Sequence, residues 1–186
     1  MPAPQRREQL LDSAATVILK DGFDAATMEA ITAEAGVSKA LGYSYFERID
    51  DLFQALFDRE FSAIYPYVRE RMEAENGLEN KLRGKVDALL EITAARRDLY
   101  IVLDRYLMGP SFTQGRDRRR AEWIGYVAGL FEAELGVSKT TAETMASLVQ
   151  AVDNATMSLY LDPSRPVSET KEITLQLNLS LLKLRT

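Results

Sequence analysis

The 186-residue chain has neither cysteine nor histidine, and these two absences remove most catalytic chemistry. Without cysteine there is no disulfide, no thiolate nucleophile and no thiolate-ligated zinc or iron–sulfur centre. Without histidine there is no Ser–His pair, no imidazole metal ligand and no general base with an ordinary pKa near neutrality. A carboxylate-bridged metal bundle needs Glu-x-x-His motifs and is excluded with them. The chain is therefore read as a non-enzyme that uses no metal and no cofactor. Long apolar runs are missing as well. Nothing approaches the ~18 apolar residues of a membrane span, and the Met1-Pro-Ala-Pro-Gln-Arg-Arg-Glu start has no apolar signal region. A soluble cytoplasmic protein without membrane contact is expected.

Glycine and proline are sparse, 10 and 6 in number, and they cluster at Gly22, Gly36, Gly77, Gly109-Pro110, Gly115, Gly136 and between Pro163 and Pro166. Between these breakers the apolar period is helical. Ile49, Leu52, Phe53, Leu56, Phe57, Phe61, Ile64 and Val68 form the stripe of one long helix, which Pro66 should kink. Further stripes run through Leu78, Leu82, Val86, Leu89 and Leu90; through Leu99, Val102, Leu103, Tyr106 and Leu107; and through Trp123, Val127 and Phe131. A fifth spans Ser138 to Leu161, with Ser138 as N-cap.

The tail from Ile173 to Leu181 alternates with period 2, the pattern of a strand. A lone strand in an otherwise helical chain would have no partner, and Pro166 suits a helix start, so this segment too is read as a helix. It carries two opposed apolar stripes: Ile173, Leu177, Leu181 and Leu184 on one side, Leu175, Leu179 and Leu182 on the other. The second stripe is expected to form an interface with another copy. The fold class is all-α, with a helix-turn-helix domain over residues 1–48 and a larger helical domain over 49–186.

The first fifty residues divide into three shorter helices. Arg6 to about Asp21 turns Leu10, Leu11, Ala14, Ala15 and Ile18 inward and ends at Gly22. Thr27 caps Met28–Ala35, Gly36 permits a tight turn, and Ser38 caps a third helix to about Tyr45. Short helix, glycine turn and short helix beginning Ser-Lys is the pattern of a helix-turn-helix. Residues 1–49 nevertheless carry five basic and seven acidic side chains, a net charge of −2.

The segment from Gly22-Phe23 through Thr27-Met28-Glu29-Ala30-Ile31, Ala35-Gly36-Val37-Ser38-Lys39 and Tyr43-Ser44-Tyr45-Phe46 resembles the N-terminal domain of the TetR family of bacterial transcriptional regulators. The likeness extends upstream to Leu10-Leu11-Asp12-Ser13-Ala14-Ala15 and downstream to Asp51-Leu52-Phe53. It implies a nine-helix homodimer that joins through its last two helices and binds double-stranded operator DNA. It also implies a small-molecule effector pocket in the C-terminal domain, whose occupation releases the operator. Repression is the family default. Two residues depart from the family pattern: Gly42 stands where a bulky aliphatic residue is usual, and Ile49 where a phosphate-contacting lysine is usual, with Arg48 beside it.

Lys39 adds charge to a helix start and suits a phosphate, as do the Thr27 and Ser38 caps. Tyr43 and Tyr45 bring phenol groups towards a DNA backbone, Ala40 and Leu41 suit thymine methyls, and Arg48 joins them. Arg6 and Arg7 are candidates for a minor groove or a phosphate. Candidate effector residues are Phe61, Tyr65, Leu103, Tyr106, Trp123, Tyr126, Met145, Val149, Asp153 and Met157. Asp153 stands out because it falls among Ala142, Ala146, Val149 and Tyr160 on an apolar arc, where a carboxylate requires a partner. It is either an acid for a polar ligand group or half of a structural ion pair. Gly42, Ile49 and the acidic head also motivate a second function class, a helical ligand-binding or adaptor protein that does not engage DNA.

Overall fold

The computed structural model describes residues 3–106, 113–162 and 164–183. Ten α-helices follow one another: α1 (Ala3–Asp21), α2 (Met28–Glu34), α3 (Lys39–Tyr45), α4 (Ile49–Ser62), α5 (Ile64–Glu73), α6 (Leu78–Ala95), α7 (Arg97–Tyr106), α8 (Thr113–Leu135), α9 (Lys139–Leu161) and α10 (Val167–Ser180). Single 3-10 turns stand at Phe23–Ala25 and Leu181–Lys183. No strand occurs among the described residues, so the alternating tail is a helix. Leu107 and Leu184 lie outside the described residues, as does the side chain of Tyr106.

The chain forms two compact units, one of Met1–Phe61 with Asp98–Thr113, the other of Ser62–Arg97 with Gln114–Thr186. The head unit is built on the α1 stripe: Leu10, Leu11, Ala14 and Ile18 are buried against Met28, Ile31 and Ala35 of the α2 region. Leu52, Leu56 and Phe57 of α4 complete this core, together with Leu99 and Leu103 of α7. The Tyr100 hydroxyl donates to the Glu60 carbonyl at 3.3 Å. Gln9 on α1 donates to the Ala35 carbonyl at 2.9 Å, satisfying a helix-end acceptor. Gly36 follows at φ +66°, a backbone angle that side chains with a Cβ rarely adopt.

The expected single helix over residues 49–68 is two helices, broken at Ala63. The reason lies in Pro66. Its ring would clash with the carbonyl four residues back, that of Ser62, and it lacks an N–H to donate there. Ending α4 at Ser62 places Pro66 in the first turn of α5, where an N–H would have no intrahelical acceptor in any case. This break brings the described helices to ten where the family resemblance implies nine.

The second unit packs α5 on α6 and sets α6, α9 and α10 together. Here the α10 expectation is corrected. Leu175 packs on Val86, Leu90 and Tyr160, and Leu179 and Leu182 are half-buried. Ile173 and Leu177 of the other stripe are the exposed ones, at 51% and 49%. Polar anchors decide the rotation. Thr156 on α9 and Thr174 on α10 share a hydrogen bond of 2.7 Å, Lys171 reaches Asp87 on α6 at 2.5 Å, and Thr170, Thr174 and Asn178 face inward. Two leucine stripes of equal strength cannot choose between opposite faces; the threonine contact can.

Candidate nucleic-acid interface and effector site

The head presents a short helix, a turn and a second short helix, each fixed by its own cap. Thr27 Oγ1 accepts from the Ala30 N–H and Ser38 Oγ from the Leu41 N–H, both at 3.2 Å. These bonds satisfy backbone donors that a helix start leaves open. They also commit both hydroxyls as acceptors, so only their donor capacity is left for a phosphate.

Gly42 lies at the crossing of α2 and α3. A Cβ built there would stand 2.5 Å from Thr32 Cγ2 and 2.8 Å from Met28 Sδ. Met28 and Thr32 are buried, so the volume that a bulky residue on α3 would fill is supplied by α2. Thr32 is held in place because its hydroxyl donates to the Met28 carbonyl at 2.7 Å. Ile49 has an equally plain role: it packs on the head core, while Arg48 beside it is exposed.

Of the residues expected at DNA, Lys39, Ala40 and Tyr43 are exposed on α3, Tyr43 at 47%. Leu41 is half-buried, and Tyr45 is half-buried against the head core. The cations are engaged within the head. Lys39 Nζ lies 3.2 Å from Glu29 Oε2, and Arg48 Nη2 lies 2.7 Å from Asp50 Oδ2. Arg6 donates to Gln9 Oε1 at 2.6 Å, and the Arg7 guanidinium sits 5.2 Å from the centre of the Phe46 ring.

The residues expected to line an effector pocket divide between the units. Phe61 and Leu103 belong to the head unit, with Phe61 5.1 Å from the Tyr100 ring. Tyr106 falls in the same unit, and the remaining candidates lie in the second unit, where Tyr65 stacks on Trp123 at 5.1 Å and Trp123 meets Tyr126 at 5.6 Å. The Arg69 guanidinium lies 4.5 Å from the Tyr126 ring centre. Met145 and Val149 are buried and Met157 is half-buried.

Asp153, 5% exposed, is bonded to Lys85, which is wholly buried. The partner that the apolar arc demanded therefore stands on α6. Sequence reasoning missed Lys85, although a signal was there: it follows Leu82 by three residues and precedes Leu89 by four, inside the apolar stripe. Burial pushes the Tyr65 phenol pKa up, and the charge of Asp153 adds to the shift. Two buried amides were also missed. Gln150 donates to Asn154 Oδ1 at 2.8 Å but its Oε1 has no partner among the described residues, and neither polar atom of Asn178 has one. No cluster of three or more potential metal ligands occurs among the described residues, and no helix there is long and apolar enough to cross a membrane.

Comparison with known proteins agrees with this geometry. Residues 10–56 match the family model described as bacterial regulatory proteins, tetR family. The chain is 23% identical over 175 residues to the HTH-type transcriptional activator FasR of Mycolicibacterium smegmatis, covering 93% of this chain and 80% of that protein. A TetR-like transcriptional regulator from Rhodococcus sp. RHA1 superposes over the whole of both chains with a TM-score of 0.73 at 25% identity. The fatty acid degradation regulator FadR from Bacillus halodurans does so with a TM-score of 0.77 at 20% identity.

Proposed function

We propose that this chain, a TetR-family transcriptional regulator, acts as a homodimeric repressor that a small molecule releases from its operator in the cytoplasm. The observation that carries the reading is the capped α2–turn–α3 arrangement, with Lys39, Ala40 and Tyr43 exposed along α3. In this reading α3 enters the major groove. Lys39, Tyr43 and Arg48 hold phosphates, Ala40 and Leu41 meet base edges, and Thr27 and Ser38 support the backbone contacts.

The dimer is assigned to the outer faces of α9 and α10, where Leu148 and Leu159 stand exposed with Ile173 and Leu177. An apolar surface of this kind marks an interaction site. The effector is assigned to the second unit around Tyr65, Trp123, Tyr126 and Met157, and its binding there is what the regulation requires. Asp153 serves this unit as the partner of Lys85.

Mobility shifts on the DNA flanking the protein's own gene test the reading. A preference for a pseudo-palindrome with half-sites one helical turn apart, or a multiple of it, is expected. Absence of any preference at low salt would leave the helical ligand-binding or adaptor reading in its place. The likeness to a protein named as an activator favours one second reading, a regulator of opposite sign. A reporter driven by the bound promoter separates the two, since a repressor lowers its output and an activator raises it.

A further inference from the structure

The head is an unusual DNA-binding surface in one respect: it is net acidic, and two of its cations, Lys39 and Arg48, already hold carboxylates. Lys39 opens α3 and is the cation best placed for a phosphate in the reading above, on which this inference rests. Its ammonium lies 3.2 Å from the Glu29 carboxylate, ten residues earlier in the first turn of α2. Both side chains are exposed, 54% and 78%, so the pair holds itself together only weakly and a phosphate can displace it. Arg48 and Asp50 repeat the arrangement at the start of α4.

We infer that Glu29 is a latch on Lys39: it occupies the ammonium until a duplex phosphate displaces it, and so keeps the sequence-independent part of DNA binding weak. The reason is one of exchange. A lysine without a partner adds a phosphate contact and releases a counterion, which drives binding to any sequence. A lysine taken from Glu29 exchanges one anion for another and leaves the carboxylate unpaired beside the duplex. Lys39 then contributes little to indiscriminate binding. Base-edge contacts, which do not depend on this exchange, keep their full weight.

The test is a double-variant cycle of Glu29→Gln and Lys39→Ala, read by fluorescence anisotropy on a random-sequence duplex across a salt series. Glu29→Gln should steepen the slope of log affinity against log salt by about 0.9 per engaged protomer, equivalent to about 3.5-fold in affinity between about 50 and 200 mM salt. It should also tighten binding at low salt. With Lys39→Ala in place, the same Glu29→Gln change should have little effect on the slope. Glu29 also favours the dipole of α2, so thermal melts are recorded alongside; a purely structural role would lower the melting temperature and leave the slope unchanged.

Equal effects of Glu29→Gln with and without Lys39 would overturn the latch and leave simple charge repulsion. Wild-type binding with no change on Glu29→Gln would overturn the latch alone. Failure of all four proteins to bind any duplex at low salt would remove the DNA-binding reading and the latch with it.

Discussion

Gly42 stands where α3 crosses α2 too closely for a methyl group, with Thr32 Cγ2 2.5 Å from the position a Cβ would take. Helix propensity alone favours Gly42→Ala by about 1 kcal/mol. Overpacking of a filled core opposes it by about 1–3 kcal/mol. The second effect is expected to win, because Thr32 is stiff at χ1 and its hydroxyl is bonded to the Met28 carbonyl. Gly42→Ala should lower the urea midpoint. Adding Thr32→Ser, which removes the methyl and keeps the hydroxyl, should recover part of the loss. A raised midpoint in the single variant would show that Met28 and Thr32 move aside without strain. The glycine was visible in the sequence as a departure from a pattern; the reason for it lies on another helix.

Three polar ties hold the helices of the second unit in register: Lys85 with Asp153, Thr156 with Thr174, and Lys171 with Asp87. The first is buried and joins α6 to α9. Removing one member of a buried ion pair leaves the other charge without compensation, at about 3–5 kcal/mol. Asp153→Asn should therefore lower the thermal midpoint sharply, and Lys85→Met should do the same. The double variant Lys85→Met with Asp153→Leu should regain much of the loss, because a well-packed apolar pair replaces two desolvated ions. If Asp153→Asn melts like wild type and loses only the response to effector, the carboxylate serves the ligand. That Asp153 needed a partner was legible from its apolar arc. Which residue supplied it was not, because the pair spans 68 positions.

For the whole molecule the consequential feature is the face that α9 and α10 leave uncovered. Leu177→Glu places a charge on an exposed position. It should change the stability of the protomer by no more than about 0.5 kcal/mol and raise the dimer dissociation constant about tenfold or more, as loss of an interface anchor does. Leu179→Glu should behave in the opposite way, lowering the melting temperature because that side chain is half-buried in its own unit. Sedimentation velocity with parallel thermal melts distinguishes the two. Dissociation by Leu179→Glu with no loss of stability would return the interface to the stripe that hydrophobic pattern alone suggested.

The sequence by itself determined the all-α class, the elements of the head and its caps, because these depend on neighbours a few residues apart: Thr27 with Ala30, Ser38 with Leu41, and the period of the α1 stripe. It also determined what the chemistry could not be, since two missing residue types need no fold to exclude catalysis that depends on them. Tertiary structure decided the matters that depend on distant partners. It chose which leucine stripe of α10 faces inward, through Thr156 and Lys171; it paired Asp153 with Lys85; and it set Gly42 against Thr32. It also brought Lys39 to Glu29, so that charges which composition only counts became a specific arrangement. Local pattern is read at the spacing of one helical turn, whereas the choice between two equivalent faces is made by whatever packs against them.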